Sequence, residues 1–340
     1  MARIREEDYA YATARIRAIE TRLMDRSKLE RLMETTDSAQ AIKLLSEAGY
    51  GMGSDPMENS KDGKGNVEAL LSAELKKAYD LLAEILPNPE VVDLFKRRYD
   101  YLNAKLILKA EFLGIDAMKS LSDMGTIKPE KLYKYITDRK FNELPEIFGK
   151  AILESIDVFS QTSDPQTIDF IMDKASFENM AADAQSIGEP FLMELVKRLA
   201  DTANIRIFIR TKLISGSREL VRQALVKGGS IPESLYEESA DKGLDKFFEA
   251  LKFTELAHLS EELAEAVKHP NGISHIEKVL EDSITQFLKK SKFVAMGIEP
   301  VVAYLFFKET EIKNARLIIT GQVNRIPQET IKERLRMGYA

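Results

Sequence analysis

With 340 residues, the chain is long enough for two or three units that each bury a core, and 44% hydrophobic against 31% charged residues is a globular composition. It has 49 Lys and Arg against 55 Asp and Glu, a net charge of −6, with both signs scattered and no basic tract, which argues against nucleic acid as the main partner. The absence of cysteine excludes disulfides, thiolate metal sites and cysteine nucleophiles.

The predicted elements at the start of the chain are helices. The first twenty residues are charged throughout and hold no apolar run of the kind that a secretory signal needs. Apolar residues then recur at helical spacing: Tyr9, Ala12, Ile16, Ile19 and Leu23. The same spacing over 29–45 and 67–86 predicts further helices, so we expect an all-α fold.

Two loops between these helices resemble ligand-binding loops only superficially. Gly49-Tyr50-Gly51-Met52-Gly53 follows a helical pattern, whereas a dinucleotide-binding loop follows a strand. Gly63-Lys64-Gly65 lacks the Ser or Thr that follows the lysine of a phosphate-binding loop. Residues 58–63 look like the start of a calcium loop, yet Ala69 stands where its last ligand should be. We therefore predict no nucleotide or calcium site there.

One sequence element occurs three times, in windows that align without a gap: Pro89–Ile107, Pro190–Phe208 and Pro300–Ile318. An acid stands three residues before an asparagine in each window, and a base two residues after it. The repeated residues, called the signature below, are Pro89, Asp100, Asn103 and Lys105; Pro190, Asp201, Asn204 and Arg206; and Pro300, Glu311, Asn314 and Arg316.

The charges of the signature predict helices. A further base three residues before each acid (Arg97, Arg198, Lys308) puts opposite charges on neighbouring positions of one helical face. We therefore predict a helix in all three windows, including Ile205–Arg210, whose β-branched residues alone would suit a strand. We expect each asparagine to make a buried hydrogen bond at a helix crossing while the charged residues lie in solvent. The competing idea, a triplicated catalytic carboxylate, is weak because acid and base five residues apart point to different faces.

The repeat also predicts the domain organisation. An Ile-Pro turn that opens another helix follows each window: Ile127-Lys128-Pro129, Ile231-Pro232 and Ile326-Pro327. A fainter copy of the signature starts the chain at Ala14-Arg15-Ile16. Because a spacing near 100 residues is typical of tandem domains rather than of solenoids, we predict three similar helical repeat units, 1–115, 116–220 and 221–340.

Side chains that could carry chemistry are few. On a predicted helix, His258, Glu262, Glu265 and His269 share one face, so a metal site is conceivable. A charge-rich helical face is more often solvated, and no second helix with matching ligands is evident. We therefore expect no metal, no cofactor and no catalytic residue.

The densest basic cluster consists of Lys289, Lys290 and Lys292. It is either a solvated helix end or a contact with acidic loops of a partner or with lipid headgroups. The apolar run that follows, Phe293–Phe307, carries Glu299 and is shorter than the roughly 20 residues of a bilayer span. We thus predict no membrane span, and any membrane association through another protein.

Two stretches carry a resemblance to a known family. Tyr9–Arg17 (YAYATARIR) and Lys308–Ile319 (KETEIKNARLII) resemble the C subunit of prokaryotic V/A-type ATPases, whose counterpart in vacuolar enzymes is the d subunit. The likeness covers the chain from end to end and is most specific at these two stretches.

The resemblance implies a funnel of three helical domains around a pseudo-threefold axis. Its socket takes the foot of the central axle, formed by subunits of the D and F type, and its broad face lies on the cytoplasmic loops of the proteolipid ring. Such a protein is a peripheral part of the rotor at the cytoplasmic face and does no chemistry, while the complex links ATP to H⁺ or Na⁺ transport. A general helical adaptor unconnected with rotary ATPases is the alternative, and a helical metalloenzyme is a distant third.

Overall fold

The structure is a computed structural model that describes residues 5–35, 37–51, 64–214 and 216–339, apart from the side chains of residues 38 and 64–66. Within these ranges the regular elements are helices and no strand occurs, which confirms the all-α prediction. The loop predictions at Met52-Gly53 and over 58–63 lie outside the described residues.

Sixteen α-helices are present in the described ranges. In chain order they are α1 (Ala10–Glu20), α2 (Arg26–Met33), α3 (Ser38–Glu47), α4 (Lys64–Ile85), α5 (Glu90–Leu113), α6 (Pro129–Thr137), α7 (Glu146–Thr162), α8 (Pro165–Ile187), α9 (Pro190–Leu213), α10 (Arg218–Ala224), α11 (Glu233–Ala240), α12 (Leu244–Leu251), α13 (Leu259–Lys268), α14 (Gly272–Lys289), α15 (Ile298–Val323) and α16 (Gln328–Arg334).

Side-chain caps set several helix boundaries. Asp25 accepts a hydrogen bond from the backbone N–H of Lys28 at the start of α2, and Asp37 accepts one from Gln40 at the start of α3. The apolar pattern over 29–45 therefore belongs to two short helices, because the chain leaves helical geometry before Asp37. At the other end of a helix, Gly188 adopts a left-handed φ of 77° and ends α8.

By its contacts the chain divides into two compact units, Glu90–Ala264 and a second made of Met1–Pro89 with Glu265–Ala340. In the first, α5 packs against α6 and α8, and α7 packs along α8. In the second, α15 packs against α1, α2, α4, α14 and α16. The three predicted repeat units, 1–115, 116–220 and 221–340, stay a prediction.

Helix α15 is the centre of the second compact unit. Apolar residues occur all around it because neighbouring helices cover most of its sides. Buried residues from both ends of the chain join its core, among them Leu32, Leu45 and Leu71 together with Ile318 and Ile331.

Among the described residues, no helix combines the length and the apolar character that crossing a bilayer requires.

Candidate functional site

Each signature window lies on one long helix: α5, α9 and α15. Their helical state is confirmed, including the β-like segment Ile205–Arg210 inside α9. Pro190 is the first residue of α9, and Pro300 lies in the first turn of α15, where proline costs no helical hydrogen bond. Pro89 directly precedes α5. The three helices are called the signature helices below.

The three signature asparagines make the same pair of hydrogen bonds. Each side-chain amide donates to the backbone carbonyl of one later residue and accepts from the N–H of that same residue, an arrangement called the amide clamp below. The clamps join Asn103 to Ser122 (2.7 and 2.8 Å), Asn204 to Val226 (2.9 and 2.8 Å) and Asn314 to Arg336 (3.0 and 2.9 Å). The predicted buried hydrogen bond is therefore confirmed, but its partner is a loop backbone and not a crossing helix.

The acids of the first two copies hold a second loop position. Asp100 accepts from the N–H groups of Thr126 and Ile127 (both 3.0 Å) and from the Thr126 hydroxyl (2.6 Å). Asp201 repeats this with Ser230 N–H (3.0 Å), Ser230 hydroxyl (2.7 Å) and Ile231 N–H (3.0 Å). We call this arrangement the carboxylate clamp. It fixes the turn that leads into α6 in the first copy and into α11 in the second.

A glycine makes room for each of these carboxylates. A β-carbon added to Gly125 would lie 2.1 Å from Oδ1 of Asp100, and one added to Gly229 would lie 2.2 Å from Oδ1 of Asp201. Burial raises the pKa of Asp100 and outweighs the lowering by its hydrogen-bond donors. The Asp100 carboxylate therefore lies in a closely packed turn that is shielded from water.

The acid of the third copy reaches the beginning of the chain. Glu311 accepts hydrogen bonds from the backbone N–H of Met24, from the Tyr50 hydroxyl (2.6 Å) and from Lys308 Nζ (2.7 Å). Met24 directly precedes the cap of α2, so α2 has the place that α6 and α11 have in the other copies. The Ile326-Pro327 turn does open a helix, α16. This helix, however, leads to Arg336, the loop residue that the Asn314 amide clamp holds, and so it does not correspond to α6 and α11. Both ends of the chain thus complete the third copy.

A buried polar network surrounds this acid and was not expected from the sequence. Lys308 also lies 3.6 Å from a Glu74 carboxylate oxygen and 4.8 Å from the centre of the Tyr50 ring. Burial opposes the charge of Lys308, but Glu311, Tyr304 and Glu74 together raise the pKa of this lysine. Burial and the Glu311 carboxylate raise the pKa of Tyr50. Lys308 is therefore protonated and Tyr50 keeps its donor hydrogen.

The expectation that the signature charges lie in solvent is wrong for the acids. Asp100, Asp201 and Glu311 are only 2%, 1% and 5% exposed. Burial follows from the geometry, because an acid three residues before a buried asparagine lies on the same helical face.

Two bases of the signature form ion pairs with other helices. Lys105 lies 2.6 Å from Asp173, and Arg316 lies 2.6 Å from Glu68, while Arg206 is half-buried. The bases that precede the acids differ among the copies: Arg97 pairs with Asp183 (2.7 Å), Arg198 with Glu194 (2.7 Å) and Lys308 with Glu311 (2.7 Å). The pairing predicted within the signature is thus seen in the third copy.

The three lysines of the basic cluster differ in their surroundings. Lys289 ends α14 and is half-buried, and Lys290 is exposed. Lys292 donates to the backbone carbonyl of Tyr339 and lies 4.0 Å from the centre of its ring. Burial, and next the charge of Lys289, lower the pKa of Lys292. The partner-contact role of Lys289, Lys290 and Lys292 stays a prediction; Phe293, which follows them in the sequence, is 91% exposed.

Arg15, the base of the fainter signature copy at the start of the chain, lines an open cleft of about 590 Å³ beside the third copy. Lys77, Lys308, Glu74 and Glu84 also line it. Since charges of both signs form its walls, the cleft suits a polar partner surface better than an apolar ligand.

The predicted histidine face does not form as expected. Helix α13 begins one residue after His258 and ends one residue before His269, so two of the four proposed ligands lie off the helix. His269 instead approaches His275 and Glu333, which no spacing in the sequence connects.

Comparison with known proteins decides the family. The sequence model of the ATP synthase (C/AC39) subunit family matches residues 12–334, which includes all three signature helices. The chain belongs to this family. It is therefore part of a V/A-type ATPase, and the resemblance noted from its two most specific stretches is confirmed.

Similar curated proteins come from archaea and bacteria. The C subunit of the A-type ATP synthase of Methanocaldococcus jannaschii is 26% identical, over 96% of this chain and 86% of that protein. The C subunit of the V-type sodium ATPase of Enterococcus hirae is 28% identical, over 95% of this chain and 97% of that protein. The C subunit of the A-type ATP synthase of Pyrococcus furiosus is 25% identical, over 96% of this chain and 89% of that protein. These matches span nearly the whole of each protein.

Proposed function

We propose that this chain is a non-catalytic part of the central stalk, which joins the rotating axle to the proteolipid ring. In this role it turns with the rotor and couples ATP to H⁺ or Na⁺ transport. It is bound peripherally at the cytoplasmic face, with axle subunits of the D and F type on one side and the ring on the other. The observation that carries the proposal is the threefold amide clamp, which occurs in a chain of this ATPase family.

The clamps suit a part that transmits torque. A buried polar group left without its partner costs about 1–3 kcal/mol, so a loop held by two or three such bonds resists displacement from its helix. Packed helical cores yield little under strain. Three copies held in the same way can be arranged as similar domains around a pseudo-threefold axis, and that arrangement leaves a recess for the axle.

The two partners have different symmetry requirements. An axle has little internal symmetry, whereas a ring offers many equivalent positions, so a connector cannot match both in symmetry. We therefore place polar, adaptable contacts on the ring side, with Lys289 and Lys290 among them. Reversing both charges should weaken binding to the ring and leave binding to the axle unchanged.

The test is simultaneous binding of both partners by the purified full-length chain. An axle complex of D- and F-type subunits is immobilised, the chain is added, and detergent-solubilised ring is then captured through it. We expect capture of the ring only when the chain is present, and no ATP hydrolysis by the chain alone. Binding of only one partner, or of neither, would refute the connecting role, and ATP turnover by the isolated chain would refute the non-catalytic role.

A further inference from the structure

Three side chains with metal-ligating atoms meet within the compact unit that holds α15. His269 follows α13, His275 lies at the start of α14, and Glu333 lies on α16. One ligand atom from each lies within 4.8 Å of the other two. The imidazole rings are 3.7 Å apart between centres, and Nε2 of His275 is 4.0 Å from a Glu333 carboxylate oxygen.

Nε2 of His275 is buried and has no hydrogen-bond partner among the residues that the structure describes. Buried polar atoms are nearly always paired, so an unpaired one calls for an explanation such as a bound ion. The 4.0 Å to Glu333 is too long for a hydrogen bond, but a metal ion fits between two atoms at that separation. A bound ion would supply the partner that this nitrogen lacks among the described residues.

Metals bind the neutral form of an imidazole, through either ring nitrogen. The backbone N–H of Asn271 donates a long hydrogen bond, 3.2 Å, to Nδ1 of His269. This one bond is lost when His269 binds a metal, because Nδ1 then either binds the metal itself or carries the proton while Nε2 binds it. Lys278 and Arg334 oppose a cation here, but Lys278 is held by Asp282 at 2.6 Å.

We propose that His269, His275 and Glu333 bind one Zn²⁺ ion, with water as the fourth ligand. Two imidazoles and one carboxylate are a known ligand set for zinc, at bond lengths of about 2.0–2.2 Å. Neighbouring ligand atoms in such a tetrahedron lie about 3.3 Å apart, so the site must contract from the distances seen. The exposed carboxylate of Glu333 can supply its part of that movement, and the imidazole rings, now 3.7 Å apart between centres, must separate so that both can face one ion.

The site goes beyond the proposed stalk role and has a structural consequence of its own. Zinc would link α16 to the start of α14. Directly after α16, Arg336 enters the amide clamp of Asn314, and the Met337 N–H donates to Asp282 on α14 (2.6 Å). Bound zinc would therefore hold the end of the chain in the third copy.

The experiment is calorimetric titration of the tag-free, chelator-treated full-length chain with Zn²⁺, and with Co²⁺ to read the coordination geometry from its absorption. We expect one ion per chain, a tetrahedral Co²⁺ spectrum and a rise in Tm with Zn²⁺. His275→Gln and Glu333→Gln should each lower the affinity by about tenfold or more. The matched control is His258→Gln, an exposed histidine outside the cluster, which should bind as the unmodified chain does.

The proposal is overturned if the unmodified chain binds no zinc at micromolar concentrations, or if Glu333→Gln binds zinc as tightly as the unmodified chain does. Because Glu333 is exposed and is not part of a core, this variant is expected to fold, and its metal-free Tm checks that it does. Failure of His275→Gln to fold would therefore leave Glu333→Gln as the deciding variant. Neither result depends on binding to the axle or the ring.

Discussion

Replacing Asn204 by alanine removes both bonds of the amide clamp in the middle copy. The side chain is 2% exposed and its partner Val226 is 1% exposed, so water does not take over either bond. The N–H and C=O of Val226 would be left buried and unpaired, at about 1–3 kcal/mol each. We therefore expect Asn204→Ala to cost roughly 2–6 kcal/mol, a large part of the roughly 5–15 kcal/mol that stabilises a typical protein.

Two measurements check this value. Urea unfolding followed by circular dichroism gives the loss of stability, and hydrogen exchange at the Val226 amide shows where the loss arises. The local readout matters because the chain has two compact units, which need not unfold in one step. The matched control is Asn142→Ala, an exposed asparagine in the same compact unit, for which we expect a change within about 0.5 kcal/mol. The reasoning fails if the two variants are equally stable, or if the Val226 amide exchanges no faster in Asn204→Ala.

Three further substitutions test neighbouring features of the structure. Gly229→Ala should destabilise the protein by about 1–3 kcal/mol, because the added β-carbon would collide with the Asp201 carboxylate. In a double-mutant cycle, the same substitution should cost much less when Asp201 is already alanine, and additive effects would contradict the contact. Tyr50→Phe deletes a donor to the buried acid of the third copy and should cost about 1.5–3 kcal/mol in chemical unfolding; an unchanged midpoint would show that the network does not need it. The hydrogen bond from Arg316 lowers the pKa of Glu68, so its stabilisation is present above the unfolded pKa of about 4.3 and is lost as the pH falls. For this mostly exposed pair, Arg316→Gln should cost at most about 0.5 kcal/mol at pH 7 and nothing near pH 3, and a cost independent of pH would exclude the ion pair as its origin.

The signature helices could be predicted because their information is local and repeated. Charge spacing within each window fits one helical face, and the copies corrected the strand-like appearance of Ile205–Arg210. The buried asparagines were predicted for the same reason. The buried acids were not, although the shared Gly-Thr-Ile and Gly-Ser-Ile sequences at Gly125 and Gly229 carried the signal. Those two tripeptides are the turns that receive Asp100 and Asp201.

What could not be predicted depends on pairs far apart in the sequence. Met24 and Tyr50 carry no local pattern that points to Glu311, since hydrogen bonding between distant segments follows from the fold and not from spacing. The same is true of Glu333, which meets His269 and His275 only because α16 packs near α14. Helical periodicity suggested a histidine face, but the helix ended too early to form it.

The closure of the third copy by both ends of the chain sets an order of events during synthesis. The compact unit of Glu90–Ala264 is continuous, so all of its residues are translated before α15. Glu311 must instead find Met24, 287 positions earlier, and Asn314 must wait for Arg336, 22 positions later. A product that stops before Arg336 therefore lacks the amide clamp of Asn314, and helices α1 and α2 remain without their main packing partner until α15 is translated.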